Sequence, residues 1–171
     1  MRDLSIQDIA ELTETRIQIE SLALRLAVEC GDLQWETGIL AAHHRLERTP
    51  VTRDDGTVSE DWTIQHRDFH QALLTGCSNR RLESVASSLR DSAELYRRWH
   101  WVLTDDHQRD LAAEHRQLKE LALARDADRA IEVLTGHIDR APSLLIAYAR
   151  EHGVDDLNPK GPPTQQDQPG R

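Results

Sequence analysis

Nine histidines stand in a chain of 171 residues, and neutral imidazole is the commonest protein ligand for divalent metals of borderline softness. Spacing separates the informative histidines from the rest. His66 and His70 are four positions apart, so a helix carrying both stacks them one turn apart on one face. Trp62, Phe69, Leu73 and Cys77 recur beside them at three- and four-residue intervals, which makes that face apolar. His115 shares a stripe with Leu111, Leu118 and Ala122; His137 shares one with Ala130, Val133 or Leu134, and Ala141. Three separate helices are therefore expected to turn an imidazole inward, and the interior of a bundle is where helical proteins assemble metal sites from facing side chains. Three protein ligands leave a position open for a further one. For any single histidine of this set the plain alternative is a core imidazole bonded to a backbone carbonyl. His43, His44, His100, His107 and His152 do not converge in this way and read as surface or structural residues.

A cation lies on a similar face. Ile9, Leu12, Arg16, Ile19, Ala23 and Leu26 form one seam of the first helix, which sets a guanidinium among apolar side chains. A buried arginine needs an anion. Glu20, one turn along, is the ready partner; the alternative is that Arg16 also grips the carboxylate of a bound ligand with its bidentate fork.

Helices must position these groups. Six helical stretches are predicted, at about residues 5–30, 33–48, 59–75, 79–103, 104–125 and 126–152. Ser5 with Asp8 suits a helix start, Gly31 and Gly76 suit helix ends, and Thr104-Asp105-Asp106 suits the start of the fifth. Pro142 is expected to kink the sixth. Strand-like alternation is nearly absent, and short connections between amphipathic helices predict an all-α antiparallel bundle over residues 1–152. Four of the six prolines lie after residue 152, so residues 153–171 read as a disordered tail too poor in apolar surface to order itself.

Composition narrows the function classes. A net charge of −9 disfavours nucleic-acid binding by this chain alone. No apolar run approaches the roughly 18 residues of a membrane span, and the start lacks the basic and apolar regions of a secretory signal. Cys30 and Cys77 show no CxxC spacing, which points to a reducing cytoplasm.

The stretches SIQDIAELTETRIQIESLALRLA, RDFHQALLTGCSNRRL, AAEHRQLKELALARDADRA and GHI, in that order and spacing, resemble the FCD domain. That is the C-terminal effector-binding domain of the FadR subfamily of GntR transcriptional regulators, and the resemblance covers about residues 4–150. It implies an all-α antiparallel bundle of six or seven helices enclosing a ligand cavity. It also implies a divalent metal held by one Asp or Asn and three histidines, a small organic acid as effector, and a homodimer. His70, His115 and His137 match the family's three histidines. The acidic ligand's position, four residues before the first of them, is His66 here, so the resemblance implies a fourth imidazole. Zinc or nickel suits such a set. Arg16 and Glu20 match the family's R-x-x-x-E stretch, which implies an effector role for Arg16. Family members carry a winged helix-turn-helix in front of this domain; here the first effector-domain helix follows Met1 almost at once, so this chain is expected to make no direct DNA contact.

A ligand sensor is thus the leading expectation. The alternatives are a metal-dependent hydrolase and a standalone metal-binding helical protein. Against the hydrolase, no acid stands out as a general base: Glu114 adjoins His115, and neighbours on a helix diverge by about 100 degrees, so Glu114 is expected to point away from the site.

Overall fold

The computed structural model describes residues 4–104, 106, 110–153 and 156–157. Among the described residues six α-helices carry the fold: α1 (Ile6–Cys30), α2 (Leu33–Glu47), α3 (Glu60–Leu74), α4 (Arg80–Leu103), α5 (Leu111–Leu123) and α6 (Ala127–Glu151). A single 3-10 turn, Thr75–Cys77, follows α3. Among the described residues no helix is long and apolar enough to cross a membrane.

Side-chain caps set most helix starts. Ser5 accepts from the Asp8 N–H at 3.0 Å while the Asp8 carboxylate accepts from the Ser5 N–H at 3.3 Å, the reciprocal pair expected from the sequence. Asp32, Ser59, Asn79, Asp110 and Asp126 each accept from a backbone N–H of the following first turn. The fifth helix begins at Leu111 rather than near Thr104: Thr104 is extended, with φ −116° and ψ 148°, and the cap is Asp110. Pro142 lies buried inside an α6 that runs unbroken on both sides of it.

Helix α1 is the axis of the bundle, packing on α4, on α6 and on the Thr75–Cys77 turn; α2 packs on α3 and α5, and α5 on α6. The apolar interior is divided. One cluster joins Ala23, Leu24, Ala27 and Val28 of α1 to Trp35 and Ile39 of α2, Phe69 and Leu73 of α3, Leu118 of α5 and Leu134 of α6, among others. A smaller one holds Ile9, Ala93, Tyr96, Trp99 and Leu145. Buried polar residues fall between them. On α1, Arg16 and Glu20 separate Ile9 of one cluster from Ala23 of the other; on α4, Arg90 separates Ala86 from Ala93.

At the α1–α2 corner the Trp35 ring lies flat against the chain, its Nε1 donating to the Leu73 carbonyl at 3.2 Å and the Arg125 guanidinium 4.9 Å above it. A Cβ on Gly31 would stand 2.2 Å from Trp35 Cε3 and 2.6 Å from the Ala27 carbonyl oxygen. Ring and backbone would both have to yield. Gly31→Ala is therefore expected to destabilise the fold by about 1–3 kcal/mol, the usual range for overpacking, and paired thermal melts of variant and wild type check it.

Leu4–Ser5 (β1) pairs antiparallel with Asp156–Leu157 (β2). Apart from Gly153 and this short strand, the segment predicted as a disordered tail lies outside the described residues.

Candidate metal centre

Helix α3 delivers His66 and His70, α5 delivers His115 and α6 delivers His137, and one ring nitrogen from each lies within 4.8 Å of the others. The four ring centroids are 4.5 to 5.7 Å apart. All four histidines singled out in the sequence thus meet at one point. Local packing explains the convergence: Trp62 stacks on His66 at 4.7 Å and 20°, and Phe69 stands edge-on to His70 and His115. The aromatic faces that make α3 stick to its neighbours also fix the imidazole rings.

Burial favours the neutral form of the two α3 rings. Burial first, then the nearby Arg97, hold His66 well below the usual imidazole range; burial, then its companion His137, do the same to His70. Neutral rings have lone pairs to give. The Nε2 of His70 is buried without a hydrogen-bond partner, an omission that costs free energy unless something binds there. A tetrahedral zinc site with Zn–N bonds near 2.0–2.1 Å sets its nitrogens about 3.4 Å apart, so modest side-chain movement brings this set to bonding range. The donor set fits a transition metal.

Glu114 corrects the sequence reading. Its backbone does diverge from that of His115, but its long side chain crosses to α6 and accepts from His137 Nδ1 at 2.8 Å. A carboxylate accepting from Nδ1–H fixes the orientation of the His137 ring, the usual support of a metal-bound imidazole.

Arginines flank the cluster. Arg16, buried as expected, donates from Nε to Glu20 at 2.9 Å and from NH1 to the Tyr96 hydroxyl at 3.0 Å. The competing partner foreseen in the sequence is therefore engaged. Two further arginines, on α4, are not singled out by the sequence analysis. Arg90 is buried, donates NH2 to Gln71 at 2.9 Å and approaches Glu20 only to 4.0 Å, while its Nε and NH1 have no hydrogen-bond partner. Arg97, three-quarters buried, donates NH1 to His66 Nδ1 at 2.8 Å and NH2 to Glu94. Three guanidiniums face two buried or half-buried carboxylates, Glu20 and Glu94. The signal for Arg90 was present: it shares a stripe with Ala86 and Ala93, as Arg16 shares one with Ile9 and Ala23.

The other histidines stay outside. His43 is buried edge-on against Phe69, His100 lies 3.6 Å from Asp106, His44 and His152 are exposed, and His107 lies outside the described residues. Two open grooves among the described residues, one walled by Thr104, Asp106 and Arg140 and one by Thr13, Ile17 and Pro142, contain no member of the histidine cluster.

Comparison with known proteins agrees with this architecture. The family model of the FCD domain matches residues 11–140. The chain is 38% identical over 149 residues to an HTH-type transcriptional regulator, BphR, of Paraburkholderia xenovorans, covering 83% of this chain and 58% of the relative. It is 29% identical over 139 residues to the HTH-type transcriptional repressor GlaR of Escherichia coli, covering 79% and 63%. It thus spans about six-tenths of the length of each. A solved metal-free FCD domain, that of TM0439, superposes with a TM-score of 0.64 at 18% identity, covering 88% of this chain and 99% of that one.

Proposed function

Because the chain belongs to the FCD domain family, we propose that it is the ligand-sensing domain of a cytoplasmic GntR-type transcriptional regulator, working as a homodimer and leaving DNA contact to other residues. The carrying observation is the buried cluster of His66, His70, His115 and His137 with under-satisfied arginine beside it.

His70, His115 and His137 hold a divalent metal, zinc or nickel, and His66 completes the set. The metal supplies a Lewis-acidic positive centre that four neutral imidazoles do not cancel. Arg16 and Arg90 are the second recognition element. The unpartnered Nε and NH1 of Arg90 need an acceptor, and Arg16 shares Glu20 with it. Cationic groups among apolar helices select a small organic acid over a neutral ligand. Glu114 orients His137 rather than acting as a general base, since its carboxylate is already engaged on that ring.

A thermal-shift screen of mono- and dicarboxylates on the zinc-loaded protein tests this reading. At least one acid should raise the melting temperature, and Arg16→Ala should cut its affinity by about tenfold or more, the loss typical of a charge-assisted hydrogen bond. Absence of any stabilising acid, or undiminished affinity in Arg16→Ala, would refute the effector role given to Arg16.

A further inference from the structure

A guanidinium has only donors, so the 2.8 Å contact between Arg97 NH1 and His66 Nδ1 makes that ring nitrogen the acceptor. Neutral imidazole has a single acceptor nitrogen; the other bears the proton. The one in-plane lone pair of His66 is therefore engaged. His70 presents a different case, with its Nε2 buried and unpartnered, and His137 is oriented by Glu114. A metal needs the same electrons of His66 whichever nitrogen it approaches. Binding at Nδ1 displaces Arg97 directly. Binding at Nε2 moves the ring proton to Nδ1, and the acceptor that faced Arg97 becomes a second donor.

We infer that Arg97 and the metal compete for His66, and that metal binding turns the Arg97 NH1 donor over to an anionic ligand at the same site. The inference rests on the metal reading above. Geometry limits where Arg97 can go: Glu94, one turn earlier on α4, holds its NH2, and the side chain is only one-quarter exposed. A donor held there with its acceptor withdrawn, near the like charges of Arg16 and Arg90, is matched by a carboxylate. The anion thus binds well only after the metal, and Arg97 belongs to the anion site only in the metal-loaded protein.

A double-mutant cycle on the full chain tests the competition, with zinc affinity read against a chromophoric chelator. Arg97→Met should tighten zinc binding by about tenfold in the wild-type background and leave it nearly unchanged in a His66→Phe background. Equal tightening in both backgrounds would mean simple charge repulsion and would overturn the inference. With acetate as the anion probe, zinc loading should raise affinity by about fivefold or more in wild type and much less in Arg97→Met; equal gains in both would overturn the second half. Histidine side-chain nitrogen spectra of the unmutated protein give an independent readout. His66 should show the Nε2–H tautomer without zinc and a coordinated ring with it. Zinc that perturbs His70, His115 and His137 but not His66 would overturn the inference while sparing a three-histidine centre. Zinc that perturbs none of them would remove the metal reading and this inference together.

Discussion

Zinc in about thousandfold excess over its dissociation constant is expected to raise the melting temperature of the metal-free protein by on the order of 10 °C, because ligation of the native state alone then contributes about 4 kcal/mol, worth roughly 2–4 °C each at this chain length. The His115→Ala, His137→Ala double variant should show no such shift, and its metal content after equilibration should fall from one ion per chain to near none. Comparing each protein with and without zinc cancels whatever the two truncations cost the core. Loss of both residues removes the candidate donors of α5 and α6 and leaves only the α3 pair, a two-donor chelate that holds an ion far more weakly than four. Glu114→Gln should give a milder result, a loss of about 10- to 100-fold in zinc affinity, because it frees the His137 ring without removing it. Metal content unchanged in the double variant would reject the assignment.

The second large effect concerns Glu20, whose carboxylate is 1% exposed and lies between Arg16 at 2.9 Å and Arg90 at 4.0 Å. Glu20→Gln keeps the shape and removes the charge. It leaves two buried guanidiniums without their counterion, a change that typically costs about 3–5 kcal/mol out of a total folding stability of only about 5–15 kcal/mol. The expected fall in melting temperature is roughly 10 °C or more, read by circular dichroism. Buried charges are poorly screened, so added sodium chloride should recover little of it. A melting temperature within experimental error of wild type would mean that Glu20 does not compensate these arginines.

Much of the site was legible because each of its histidines stands on an apolar stripe: Trp62–His66–Phe69 on α3, His115–Leu118 on α5, Ala130–Leu134–His137 on α6. Periodicity reports which face of a helix turns inward; that the rings share one site is what the resemblance to the FCD domain implies, and the structure brings the four together. Cap chemistry is equally readable at Ser5, whereas Thr104-Asp105-Asp106 carries the same residue types as Asp110, the true cap of the fifth helix, and so predicts too early a start. Glu114 shows where periodicity stops. Helix geometry predicts its Cα direction to diverge from that of His115, yet a flexible side chain at the α5–α6 interface reaches a ring on the neighbouring helix. Arg90 and Arg97 were hidden by their company: α4 holds five arginines, and three of them, Arg80, Arg81 and Arg98, are exposed. The stripe of Ala86 and Ala93 marks Arg90 as inward-facing, whereas for Arg97 the contact with His66 of α3 is what separates it from the exposed three.

The antiparallel pairing of Leu4–Ser5 with Asp156–Leu157 has a practical consequence for protein engineering. It brings residue 4 and residue 157 side by side, so the described chain is nearly a closed ring. A reporter joined ahead of residue 4 and another joined after residue 157 would leave from the same rim of the bundle, beside the end of α6, the helix that carries His137. A donor–acceptor pair of fluorescent labels mounted there would sit close together from the outset, and a growing separation would register the parting of these two paired segments without a label having to enter the packed interior.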